Sequence, residues 1–288
     1  RNSMQKLKTI LEEYYSYKNT PDELSEEKPD PLFVAKTYQH KPYTAEIALI
    51  CALLAYGNAR AIVKMLQSLD FTLLESVRKI TQSDESIFPY YRFQTQVDIK
   101  ALFHIIALMC ENGGLYPHFL QAYKNAPINS ALWDKSKNAH HARMLYGIYE
   151  CIEILYHYAK TAHLPLSKGL CFALGTSHSA YLVAKNSIPS HTSALKRWNM
   201  LLRWLVRKDH IDMGIWQEIS PSHLILPLDT HTFTLCIHLG ILRSRVYNLQ
   251  SALQASDSLA LMCEDDPIKY DFALYRLGQS GKYKHLFI

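Results

Sequence analysis

Two segments of the chain set an amine and a carboxylate where covalent chemistry could use them. SALKRWNMLLRWLVRKDH (193–210) reads as a basic amphipathic helix with Lys196 near its start. In LILPLDTHTFTLCIHLG (224–240) an apolar run ends at Pro227, an acid follows, and a second helix opens with Asp229 at the N-cap position. An amine attacks carbon only as the free base, and the positive end of a helix dipole, with Arg197 and Arg203 close in sequence, disfavours the ammonium form. A carboxylate at an N-cap accepts backbone N–H bonds and keeps its charge, ready to orient an amine or to face a cationic carbon. Such a pair suits Schiff-base chemistry. His231, two residues past Asp229, is read as a helper in positioning it. Taken singly, each residue has an ordinary reading: a lysine on a solvated helix face, an aspartate that only caps.

The elements that must carry these groups are helical almost throughout. Apolar positions recur at three and four over 5–18, 44–69, 96–112, 117–126, 142–162 and 166–176, then over 193–208, 230–240, 249–264 and 267–278, with a short turn at 214–219. Strand alternation is nowhere sustained, so the expected class is all-α. TPDELSEEKPDP (20–31), with five acids and three prolines, reads as an exposed loop. Pro189 ends whatever precedes it, and SHTSA (190–194) offers several hydroxyl caps ahead of Lys196.

Composition narrows the function classes. A chain of 288 residues, 48% hydrophobic, has enough apolar material for a sizeable core in two lobes. Its 31 Lys+Arg against 26 Asp+Glu leave +5, which permits an anionic partner without demanding one. Six cysteines (51, 110, 151, 171, 236, 263) show no CxxC and no close pair, the pattern of reduced thiols in a cytoplasmic protein. With ten glycines and neither GxGxxG nor GxxxxGK[ST], a glycine-rich phosphate loop is not expected. Fourteen histidines include no HExxH, and no metal or other cofactor is expected. No apolar run reaches the ~20 residues of a membrane span.

Several segments, in order, carry a resemblance. LDTHTFTLCIHLG looks like the VDTHV-type segment of the helix-hairpin-helix DNA glycosylase superfamily, the group of endonuclease III and 8-oxoguanine glycosylase. TAEIALICALLAYGNARAIVKML resembles its opening helix, SALKRWNMLL the second helix of the hairpin, and DPIKYDFALYRLG the closing helix. Together KRWNMLLRWLVRKD, LPLDTHT and DPIKYDFALYRLG look very like a largely uncharacterised bacterial family placed in that superfamily. The likeness runs from about Thr44 to Gly278. Three departures stand out. Where the hairpin usually has glycines, this chain reads Ile188-Pro189-Ser190-His191-Thr192-Ser193-Ala194. Lys196 and Asp229 are 33 positions apart, which is more like the archaeal 8-oxoguanine glycosylase branch. The iron–sulfur cysteines of endonuclease III are also missing, since no cysteine follows Cys263.

The resemblance implies two helical lobes with a central cleft. One would be a six-helix lobe over 44–210, the other would form from 1–43 with 211–288. It implies a monomer that binds double-stranded DNA holding a damaged base and flips that base out of the stack. Lys196 would be the nucleophile at C1′ and Asp229 the essential acid. Arg197, Arg203 and Arg207, with Thr192 and Ser193 of the hairpin, would meet the DNA backbone. His231, Asn58, Tyr270, Phe272 and Tyr275 would line the substrate. Tyr90-Tyr91-Arg92-Phe93 is a further aromatic and basic cluster of the kind that stacks bases. The function implied is a base-excision glycosylase with AP-lyase activity on an oxidised purine. The alternative is a catalytically silent relative that binds damaged or distorted nucleic acid.

Overall fold

The computed structural model describes residues 2–127, 136–179 and 189–285, and Ile188 of the expected hairpin lies outside them. The fold is all-α: among the described residues, thirteen α-helices and several 3-10 turns are joined by loops. Among the described residues the only extended pairings are isolated bridges, Tyr91 with Gln94 and Lys208 with Met213. No helix among the described residues is long and apolar enough to cross a membrane.

Contacts divide the chain into two units. One takes the described residues of 1–23, 127–144 and 181–288, the other those of 24–126 and 145–180. The sequence division at 44 and 210 differs from this: 24–43 fall outside the unit of the termini, and the Lys196–Val206 helix falls inside it.

In the unit that holds both termini, the Asn2–Lys18 and Thr230–His238 helices each pack on Asp271–Ser280. Leu249–Ala260 packs on a 3-10 turn, Pro267–Tyr270. Trp204, Trp216, Tyr270 and Leu11 are among its largest fully buried side chains. The expected single helix over 267–278 is therefore two elements. Pro267 opens the tight turn, and the α-helix proper begins at Asp271.

The other unit is built around Thr44–Leu53, a helix buried on every side, as its near-continuous apolar sequence requires. It packs against Pro31–Thr37 and Gln96–Glu111. The helical pattern over 44–69 is interrupted, as Gly57-Asn58 suggests for a turn: the first helix ends at Leu53. Gly57 adopts φ +104°, and Asn58 accepts hydrogen bonds from Arg60 N (3.0 Å) and Ala61 N (3.2 Å) to start Ala59–Gln67. Asn58 is thus a helix cap, which commits its side-chain oxygen to the backbone.

The expected exposed loop over 20–31 also needs correction. Glu23 is buried and pairs with Lys18 (3.2 Å) and Arg276 (3.4 Å). Asp30 is buried too, and caps Pro31–Thr37 by accepting from Leu32 N at 2.9 Å.

Candidate functional site

The Lys196–Val206 helix begins without a side-chain cap. Leu195 sits in the left-handed region (φ 54°, ψ 41°), a conformation that costs a non-glycine residue roughly 1–2 kcal/mol. The start is held from inside instead. Buried Asn199 sends Nδ2 back to the Ala194 carbonyl (3.1 Å), and Ser193 Oγ accepts from Leu195 N (3.2 Å). Thr192 is buried, and its carbonyl accepts from Leu249 N (3.0 Å), while Asn248 donates Nδ2 to the Ser190 carbonyl (3.0 Å). This stretch is consequently tied to the start of Leu249–Ala260. The reading of Thr192 as a phosphate contact is overturned by its burial, whereas Ser193 is exposed but serves the turn.

Lys196 is the first residue of its helix and half-buried. Among the described residues its amine forms no hydrogen bond and no ion pair, although its charge acts on Asp271.

Asp229 is the N-cap of Thr230–His238, as its place after the buried run Leu224–Leu228 predicts. Its backbone is extended (φ −109°, ψ 179°), and Oδ1 accepts from Thr232 N at 2.8 Å. Tyr247 donates its hydroxyl to the Leu228 carbonyl (2.7 Å), directly before Asp229. Burial raises the Tyr247 phenol, and the Asp229 charge raises it further. His231 is exposed and makes no hydrogen bond to Asp229.

A third residue, not among those the sequence singles out, belongs to the same surroundings. Asp271, buried at the start of Asp271–Ser280, receives Arg203 Nη1 at 2.6 Å. Burial raises its carboxyl, and Arg203 opposes that. The charge of Lys196 lowers it as well, and that of Asp229 raises it. Lys196, Asp229 and the Arg203–Asp271 pair thus form one electrostatic neighbourhood, held by three helix starts. The only hint of Asp271 in the sequence is an acid set between core aromatics in KYDF.

The basic stripe of this helix points inward. Arg203 and Arg207 are buried, with 4% and 3% exposure, which excludes them as contacts to a DNA backbone. Arg203 binds Asp212 (Nε, 3.0 Å) as well as Asp271. Arg207 clasps Asp266 with Nε (2.7 Å) and Nη2 (2.9 Å), and also reaches Asp209 (3.0 Å) and Asp212. Tyr15 donates its hydroxyl to Asp209 (3.0 Å). Two guanidiniums therefore face four carboxylates, and burial pushes the most enclosed, Asp212, up to about 6 against the pull of both arginines. The i, i+4 spacing of Arg203 and Arg207 was visible in sequence, but two of their partners, Asp266 and Asp271, lie 59 and 68 residues away. Arg197 is half-buried and Lys208 exposed.

The expected base-pocket walls are corrected in part. Tyr270 is fully buried and donates its hydroxyl to the Glu12 carboxylate. Phe272 is buried beneath the guanidiniums of Arg276 (4.9 Å) and Arg203 (5.8 Å). A cavity beside it, shared with Tyr15 and Asp209, measures about 10 Å³, which is room for one water and not for a base. Tyr275 is half-buried, and its hydroxyl accepts from Gln279 (2.9 Å).

Among the described residues no group of three or more His, Cys, Asp or Glu is arranged to hold a metal ion. The described cysteines are all free thiols, with Cys51, Cys151 and Cys236 buried.

A family model described as "Protein of unknown function (DUF2400)" matches residues 30–280. The chain belongs to that family. The matched span includes Lys196, Asp229, Asp271 and the whole arginine network, and leaves out the Asn2–Lys18 helix that packs on Asp271–Ser280. No curated protein and no solved structure matches the chain.

Proposed function

We propose that this protein is a DNA base-excision glycosylase with lyase activity, acting on an oxidised purine such as 8-oxoguanine. The observation that supports the reading is geometric: Lys196 opens one helix, Asp229 caps a second, and that second helix packs on the one Asp271 opens. Lys196, an amine without a hydrogen-bond partner among the described residues, and Asp229, a carboxylate fixed by its cap, both act on Asp271 beside Arg203. The resemblance of LPLDTHT and KRWNMLL to the helix-hairpin-helix glycosylases supplies the substrate class.

In this mechanism the damaged nucleotide leaves the stack, at a cost of a few kcal/mol that contacts to the flipped base offset. Lys196 Nζ, as the free amine, forms a bond to C1′ while the C1′–N bond breaks; the base departs with that electron pair and then receives from Asp229 the proton that the amine has lost. Asp229 takes up the proton lost by the amine and faces the positive charge that develops on the sugar. Breakage of C1′–O4′ leaves an imine between Lys196 and C1′. Loss of a C2′ proton then expels the 3′ phosphate, and water hydrolyses the imine. Asp229 keeps one oxygen on Thr232 N throughout, so its chemistry falls to the other.

A second reading has its own observation. Thr192 and Ser190, in the stretch that would offer hairpin amides to a phosphate, are tied to Leu249 and Asn248. That favours a silent relative that holds distorted nucleic acid by other surfaces. Base release and strand nicking on duplexes containing 8-oxoguanine, uracil or an abasic site decide between them. The enzyme reading expects base release from 8-oxoguanine, lost in Asp229→Asn. The silent reading expects binding with no release from any duplex.

A further inference from the structure

In the unit formed by 24–126 and 145–180, the exposed large apolar side chains are concentrated. Ile87, Tyr90, Phe93, Val97, Leu166 and Phe172 all come from the stretches 87–97 and 166–172. The two stretches meet at Gly169, where a Cβ atom would lie 2.2 Å from the Phe93 carbonyl oxygen. Buried Gln94 locks the junction by donating Nε2 to the Gly169 carbonyl (2.9 Å) and accepting the Tyr56 hydroxyl. Tyr91 and Gln94 close a tight turn through paired backbone hydrogen bonds of 2.9 Å. Arg92, inside that turn, adopts φ +52°.

The rings on this frame are ordered but wet. Tyr56 and Phe93 stack almost parallel (5.6 Å, 6°), and Phe172 stands edge-on to both at 4.9 and 5.2 Å. The Arg92 guanidinium lies 5.3 Å from the Tyr56 ring and 5.6 Å from that of Phe93. Yet Phe93 is 57% exposed, Phe172 42% and Tyr90 67%. Aromatic clusters ordinarily bury their rings, and holding these in water costs free energy unless a partner covers them.

We propose that this platform is a stacking site for an unpaired nucleobase of single-stranded nucleic acid. Phe93 supplies the flat face, and Arg92 with exposed Lys168 supplies charge for the adjoining phosphates. Charge complementarity selects this occupant. A nucleotide offers a planar ring and an anion side by side, and the platform offers a planar ring and a cation side by side. The acid within the frame, Asp98, is buried and committed to Ser167 Oγ and Thr95 N, so it does not repel a phosphate. The proposal goes beyond the lysine chemistry and does not depend on it.

The test is fluorescence anisotropy of a labelled oligothymidylate with the full chain and with Phe93→Leu, Phe93→Trp and Arg92→Gln. Phe93→Leu keeps an apolar side chain but loses the ring face, and affinity falls about tenfold. Phe93→Trp binds as tightly as the parent or tighter, and its indole emission is quenched on addition of the oligonucleotide. Arg92→Gln weakens binding and lowers the salt slope by about one. The same differences appear in a Lys196→Gln background, which separates this site from the proposed nucleophile. Equal affinity of Phe93→Leu and the parent, no binding by any of the proteins, or an unquenched indole would overturn the proposal. So would self-association that requires Phe93 while oligonucleotide binding does not.

Discussion

The helix that starts at Lys196 and the helix that starts at Thr230 begin in opposite ways. Asp229 gives the second an orthodox start, in which an extended residue places its carboxylate on the third backbone amide. The first has a left-handed leucine, no side-chain cap, and a buried asparagine reaching back from its first turn. A cap stabilises the helix it begins, so Asp229 has a structural task whatever else it does. Lys196 has none visible among the described residues, since its amine bonds to nothing there. Removing the lysine should therefore cost chemistry and little fold, whereas removing the aspartate should cost both.

The largest effect belongs to the pair beneath the two starts. Arg203→Ala strands Asp271 as a buried carboxylate and leaves Asp212 to Arg207 alone, and should destabilise the fold by about 3–5 kcal/mol. Urea unfolding measures it. A loss under 1 kcal/mol would mean that the pair does not brace the site.

Acid acts through a different group and provides a control. His141 is buried with Nδ1 2.7 Å from Ser136 Oγ, and burial brings it down to about 3. His223 stacks on His140 at 4.0 Å and comes down to about 4, by burial first and then by the charges of His140 and Arg143. Both folded values lie below the ordinary 6.5, so this contribution to stability is complete above that pH. It is lost as pH falls from 6.5 toward 4 and 3. His223→Gln should make the melting temperature fall less between pH 7 and pH 5, as read by circular dichroism. An unchanged pH profile would remove His223 from the account.

The two helix starts then separate by substitution. Asp229→Ala should cost about 1 kcal/mol of stability, and Asp229→Asn only a few tenths, since asparagine caps nearly as well. Lys196→Gln should change stability by less than about 0.5 kcal/mol. The two changes should also move Asp271 in opposite directions, because Lys196 lowers its carboxyl and Asp229 raises it. Carboxyl NMR should find Asp271 higher in Lys196→Gln and lower in Asp229→Asn. A shift in the same direction in both would dissolve the shared neighbourhood.

Much of this fold was legible because amphipathic helices announce themselves. The periodicity placed Gln96–Glu111 and His141–Thr161 closely, and the Pro-Leu-Asp junction placed the cap at Asp229. The break is marked in the sequence by Gly57-Asn58, and only its onset after Leu53 was hidden. Leu54 and Ala55 continue the apolar run, and Gly57 makes room for Arg92 at the turn. Burial of a charge was the least legible feature. Arg203 and Arg207 read as contacts to a DNA backbone, and two of the carboxylates that neutralise them, Asp266 and Asp271, stand 59 and 68 residues away. The same distance hid Asp271, whose significance lies in which arginine it meets. Lys196 and Asp229 could be picked out as residues, but what links their charges is a tertiary contact.

Borohydride trapping tests the central claim most directly. The purified protein and its Lys196→Gln variant are incubated with labelled duplexes carrying 8-oxoguanine or an abasic site, reduced, and resolved by denaturing electrophoresis. The account predicts a covalent adduct on the 8-oxoguanine duplex that is absent with Lys196→Gln while the variant remains folded. An adduct of equal yield in the variant, or none in the parent on either duplex, would contradict it.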